Sequence, residues 1–185
     1  MAIEVFVADE QSSAEVDVAK WGSLAERILT ARGVAGNVEL NVLYVDEGAI
    51  ASLNKRFLGH EGTTDVLSFP IEDDLSWTRP RPGSHVATGP GRQAFEDGEE
   101  DPSPSGSGAP GDAPRMLGDV VICPSVAARN APEHAGSYED EMALLLVHGI
   151  LHLLGMDHED DAEAEEMEAL ERELLVCHHR GSVES

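Results

Sequence analysis

Apolar and polar residues alternate from the first positions of this chain. Ile3, Val5 and Val7 take every second place, the period of a strand with one buried face. The rhythm then lengthens: Val18, Trp21, Ala25 and Ile28 recur at helical spacing, and Gly33 supplies a stop. Residues 38–45 (VELNVLYV) read as a second strand. Asp46 is placed to cap a helix whose Ile50, Leu53 and Phe57 share a face. Val66–Ile71 and Leu117–Ile122 are short apolar runs and predict two more strands. Ser137 with Asp140 resembles a capping box opening a strongly apolar helix from Tyr138 to about Leu154. A last helix, about Asp161 to Val176, carries Met167, Leu170 and Leu174 on one side, and Glu163, Glu165, Glu166, Glu168 and Glu171 crowd the other. The order is β-α-β-α-β-β-α-α, with a further short helix near Pro124 to Asn130. It predicts an α+β fold, a small mixed sheet packed with helices. No internal repeat is visible.

One break interrupts this rhythm. Seven of the ten prolines fall between Arg79 and Arg115, among few apolar residues and with no periodicity. Such a segment cannot bury enough surface to offset its ordering entropy. Residues from about 72 to 115 are therefore expected to form a disordered insertion, an overgrown connection between neighbouring strands. The remaining residues suit one domain, so residues 1–185 are read as a single domain carrying that insertion.

The charge is lopsided: 12 Lys plus Arg stand against 36 Asp plus Glu, a formal −24. An acidic protein repels nucleic acid at long range, which counts against a generic DNA or RNA binder. Half of the carboxylates, however, lie in two stretches, Glu72–Asp112 and Glu159–Glu173. With a screening length of about 8 Å at physiological salt, distant acids matter little at a cleft. Cys123 and Cys177, far apart, are expected to be reduced thiols. The start, Met1-Ala2-Ile3-Glu4-Val5, lacks the pattern of a signal peptide, and no apolar run approaches the ~20 residues that cross a bilayer. A cytoplasmic protein without a membrane partner is the expectation.

The chemistry concentrates in His148-Gly149-Ile150-Leu151-His152-Leu153-Leu154-Gly155-Met156-Asp157-His158, at the end of the long buried helix. Residues four apart share a helix face, so His148 and His152 can turn their imidazoles toward one ion. Gly155 can take the left-handed conformation that ends a helix, and the chain can then bring His158 back to the same place. One histidine on an apolar helix is ordinarily a hydrogen-bonded core residue; three at this spacing around a glycine bend point to a single divalent metal, zinc. Three neutral imidazoles leave a fourth tetrahedral position open, as in catalytic sites, whereas structural sites close all four.

The spacing His-x3-His-x2-Gly-x2-His is that of the metzincin peptidases. In that motif glutamate follows the first histidine and acts as the general base. Here Gly149 follows it and can accept no proton, which disfavours proteolysis.

The same stretch resembles the signature HGxLHLxGxDH of the YbeY-type endoribonucleases, the rRNA maturation factors. Two further blocks agree, Thr64-Asp65-Val66-Leu67-Ser68-Phe69-Pro70 and Leu117-Gly118-Asp119-Val120-Val121-Ile122, as does the pair Leu53-Asn54. With the final helix, the resemblance spans nearly all of the chain outside the insertion. It implies a single-strand-specific, metal-dependent endoribonuclease acting in ribosomal RNA processing, at the 3′ end of 16S rRNA, and in ribosome quality control. It also implies one zinc ion on His148, His152 and His158 and a ribosomal particle as partner, together with a ribosomal or GTPase protein. It brings a compact α+β sandwich with the metal at the base of a cleft.

The match has one gap. The family usually places an arginine just before a glycine in the stretch after its Leu-Asn pair, and a role in RNA cleavage is attributed to it. Here Leu58 holds that place and His60 that of a nearby lysine, while Arg56 lies two residues earlier and on a helix would point about 160° away. Arg56 is thus a substitute only if the helix has already ended; otherwise it is a surface arginine. Asp157 either orients His158 or a neighbouring ligand, or caps the next helix. Asp65 and Asp119 are open in the same way, orienting a neighbouring ligand or tying down loops; His134 either lines the cleft or, in the more ordinary reading, faces solvent from a loop; and Cys177-His178-His179 either binds metal or, more ordinarily so near a chain end, forms a solvated tail. Beside the endoribonuclease stand two alternatives: a non-enzymatic ribosome-assembly factor with a structural metal, which Leu58 favours, and a metallohydrolase of another class.

Overall fold

The computed structural model describes residues 2–71 and 114–180. The expected insertion lies outside the described residues except for Pro114 and Arg115, and Arg115 already opens a strand.

Among the described residues four strands and five α-helices follow the expected order: β1 (Ile3–Asp9), α1 (Val18–Ala31), β2 (Val38–Tyr44), α2 (Glu47–Leu53), β3 (Val66–Pro70), β4 (Arg115–Ile122), α3 (Pro124–Asn130), α4 (Tyr138–Leu153) and α5 (Asp161–His178). The sheet is mixed, in the order β1-β2-β4-β3. β2 runs parallel to both β1 and β4, and β3 pairs antiparallel with β4 from Val66↔Ile122 to Pro70↔Gly118. The two strands that flank residues 72–113 are thus neighbours, as the sequence suggests.

The alternation along β2 and β4 divides the apolar side chains between two faces. Leu40, Val42, Val120 and Ile122 join one buried cluster with Trp21, Leu24 and Ile28 of α1 and Leu146, Val147 and Ile150 of α4. Leu43 and Val121 point the other way, toward Val45, Ile50, Leu67, Cys123 and Val126. α4 is buried almost all round, and this explains its nearly unbroken apolar sequence. Its start is fixed by Ser137, whose hydroxyl accepts from the Asp140 N–H at 3.1 Å.

Gly149 seats α4 on the sheet. A Cβ there would come within 2.6 Å of Val120 Cγ1 and 3.2 Å of Ser68 Oγ. The Ser68 hydroxyl donates to the Gly149 carbonyl at 3.1 Å. The residue that cannot be a base is a glycine because the helix backbone lies against β3 and β4. A glutamate has no room there.

The helix after Asp46 departs from expectation. Asp46 does cap it, accepting from the Ala49 N–H at 2.8 Å. The α-helix ends at Leu53, and Asn54–Leu58 widen into a π-turn that closes at Gly59 with φ of 70°. Phe57 therefore does not join the face of Ile50; it is half exposed and packs its ring on Phe69, with centroids 5.0 Å apart. Asn54 is buried and donates to the Gly62 carbonyl at 3.1 Å, anchoring the turn.

Candidate metal centre

α4 carries His148 and His152 on one face of its last two turns. The helix stops where the sequence places the glycine: Gly155 has φ of 85°, its N–H donates to the His152 carbonyl, and the Met156 N–H donates to that of Leu151, both at 3.0 Å. This paired arrangement is the Schellman motif. The chain reverses and delivers His158 to the two helical histidines. The ring centroids stand 4.5 Å apart for His148–His152, 5.1 Å for His152–His158 and 5.7 Å for His148–His158. One ligand atom from each lies within 4.8 Å of the others, so the group could hold a metal ion.

The donor chemistry fits such an ion. His148 Nδ1 lies 2.6 Å from Glu171 Oε1, and when the neutral ring donates there its Nε2 is left as the ligand atom. His152 Nε2 stands 3.0 Å from it. Two such nitrogens need a proton or a cation between them. A tetrahedral ion with bonds of about 2.0–2.1 Å separates its nitrogens by ~3.3 Å, close to what is found. Burial lowers the pKa of His152, and His148 and His158 lower it further. The ring is thereby kept in the neutral form that ligation requires.

Glu171 is the site residue that sequence reasoning missed, having been counted with the acidic face of α5. It is buried and falls on the Met167–Glu171–Leu174 stripe. An acid at apolar spacing was the available signal. Asp157 takes neither predicted role in full: its Oδ1 accepts from the His158 backbone N–H at 2.8 Å, steadying that residue's main chain. The cap of α5 is Asp160, which accepts from the Glu163 N–H. Arg56 is outside the cavity, its guanidinium 5.3 Å from the Phe57 ring centroid. Leu58 and His60 are exposed, and Lys55 pairs with Glu61 at 3.3 Å. The Lys55 charge is therefore partly neutralised. Asp119 accepts from Asn41 across β2 and β4 at 2.8 Å. His179 is no solvated tail: it reaches Asp140 at 3.1 Å and stacks on Trp21.

A cavity of about 820 Å³ opens beside His148 and His158 and is also lined by Asp65, His134, Glu171 and Arg172. Among the described residues no helix is long and apolar enough to cross a membrane. Cys123 is buried and Cys177 exposed, and both are free.

A mixed sheet backed by a buried helix, with three imidazoles gathered beside an open cavity, defines an α+β protein with a candidate metal centre. The family model described as Endoribonuclease YbeY matches residues 6–178, and the chain belongs to that family. Curated relatives of that description include those of Thermobifida fusca, 42% identical over 174 residues (94% of this chain, 90% of the relative), and Salinispora tropica, 40% identical over 176 residues (95% of each). The Frankia casuarinae relative is 38% identical over 174 residues, 93% of this chain and 73% of its own. A solution structure of TM1509 from Thermotoga maritima aligns over 92% of this chain and 89% of its own, at 22% identity and a TM-score of 0.49.

Proposed function

We propose that this protein is a single-strand-specific, zinc-dependent endoribonuclease of the cytoplasm that matures the 3′ end of 16S rRNA and serves ribosome quality control. The observation that carries the reading is the convergence of His148, His152 and His158 within 4.8 Å, in a chain whose relatives bear the name Endoribonuclease YbeY. In this reading the 185 residues form one domain, residues 72–113 being an insertion between β3 and β4.

His148, His152 and His158 would hold one zinc ion, and Glu171 would fix the ring of His148. A zinc ion so bound supplies Lewis acidity and lowers the pKa of a water ligand toward about 7. The rest falls to the chain. Burial keeps His152 neutral, the Gly155 turn sets the third imidazole, and the cavity admits a strand while α4 shields the far side of the cluster. The acidic surface gives little general affinity for RNA, so a ribosomal particle, with a ribosomal or GTPase protein, supplies recognition.

A second reading is a ribosome-assembly factor with a structural metal. It is favoured by Leu58, a half-exposed apolar residue in place of the family's arginine. Purified protein incubated with single-stranded RNA, with and without chelator, tests the first reading: cleavage abolished by chelator and by His152→Ala supports it. Normal ribosome maturation in cells carrying His152→Ala, with metal binding gone, overturns it in favour of the second.

A further inference from the structure

A second imidazole–carboxylate pair stands in the wall of the same cavity. Glu141, seven residues before His148 on α4, is completely buried. It receives the His134 ring nitrogen Nδ1 at 2.9 and 3.0 Å and the Ala135 N–H at 3.1 Å. A carboxyl group removed from water needs partners that donate to it, and the His134 ring and the Ala135 N–H are the two beside it. The His134 side chain is 60% exposed and lines the cavity with His148 and His158. With Nδ1 committed to Glu141, the other ring nitrogen, Nε2, is left for solvent or a ligand. The charged groups that bear on His134 are Glu141 of α4, Asp65 ahead of β3 and Glu171 of α5, all acidic. The Glu141 hydrogen bond raises its pKa, partial burial opposes this, and the charges of Glu141, Asp65 and Glu171 add to the rise.

We propose that His134 contacts the substrate: held by Glu141, its Nε2–H donates a charge-assisted hydrogen bond to a phosphodiester oxygen of single-stranded RNA lying in the cavity. This rests on the endoribonuclease reading and deepens it. Other cations are less well set for the role. Arg56 lies over Phe57 outside the cavity, and Arg180 stands 3.6 Å from Asp140. Arg172 lines the cavity from an exposed position on α5, without a buried carboxylate to fix it. A fixed imidazolium also answers how so acidic a protein meets phosphate where the family's arginine is absent.

The test measures binding of a short 2′-O-methylated single-stranded oligonucleotide, which cannot be cleaved through its 2′-oxygen, to the zinc-loaded protein by fluorescence anisotropy from about pH 6 to about pH 9. In His134→Gln the amide still donates to Glu141 but cannot carry charge. Its affinity at the acid end should fall at least about tenfold, the lower edge for a hydrogen bond to a charged group, and its pH dependence should flatten, with zinc affinity unchanged. In Glu141→Gln the His134 ring loses the partner that raises its pKa, so the fall in binding should move to lower pH. Should either variant fail to fold, ring NMR of wild-type His134 during the oligonucleotide titration decides: a shift supports the proposal, none overturns it. His134→Gln binding as tightly as wild type, with the same pH profile, also overturns it. Wild type that binds the oligonucleotide through His134 yet leaves unmodified RNA intact sinks the endoribonuclease reading instead.

Discussion

Glu171 offers a direct probe of the centre because its charge, rather than its shape, is what His148 uses. Its Oε1 lies 2.6 Å from His148 Nδ1, and its side chain is only 10% exposed, so the contact is little screened. Glu171→Gln keeps a carbonyl oxygen that can accept the same proton and removes the negative charge. Hydrogen bonds to charged groups contribute about 1.5–3 kcal/mol against about 0.5–1.5 kcal/mol for neutral ones, a loss of about 1–1.5 kcal/mol. At about 1.4 kcal/mol per factor of ten, zinc affinity should fall five- to tenfold, roughly the lower edge of the 10–100-fold range for such supporting carboxylates. Glu171→Ala, which also frees the ring to rotate, should approach the upper edge. The assay is competition with a chromophoric chelator. Glu165→Gln is the control, since Glu165 is an exposed residue of the same helix and the change in net charge is identical. Equal affinities for the two Gln variants, within about twofold, would refute the reasoning, because charge at a distance would then explain everything Glu171 does.

Gly149→Val drives a stiff branched side chain into Val120, a contact at 2.6 Å for the Cβ alone; it should cost about 1–3 kcal/mol, read as a Tm several degrees lower, and an unchanged melt would show that α4 can lift from the sheet freely. Ser137→Ala removes the hydroxyl that caps α4 and should cost about 1 kcal/mol in urea unfolding. His134 has a raised pKa, so the stability it adds is fully present below its ordinary value near 6.5 and drains away as pH climbs through the raised one. The Tm gap between wild type and His134→Gln should therefore narrow from about pH 6 to about pH 9, and a gap that widens would reverse the assignment.

Much of this was legible in the residues. The strand and helix order follows periodicity, because the alternation in β2 and β4 and the apolar run of α4 are direct images of burial on two faces. The three histidines were legible because helix geometry and one glycine act locally. What failed to show was tertiary. Glu141 reads as one acid in an acidic stretch, and nothing local says that His134 folds back onto it. The same holds for His179, whose partners Trp21 and Asp140 come from α1 and α4. Phe57 went astray because helical periodicity assumes a constant turn, whereas the buried Asn54 amide reaching for Gly62 unwinds the chain into a wider one.

β3 and β4 lie side by side, and where they part the Ile71 N–H still donates to the Leu117 carbonyl at 3.3 Å. The polypeptide thus departs and re-enters the sheet at nearly one spot. A flexible connection costs only about 0.6 kcal/mol in closure entropy for each doubling of its length, so a peptide inserted between the two strands should leave the sheet and the histidines little changed. That connection is a natural place to splice in a reporter peptide.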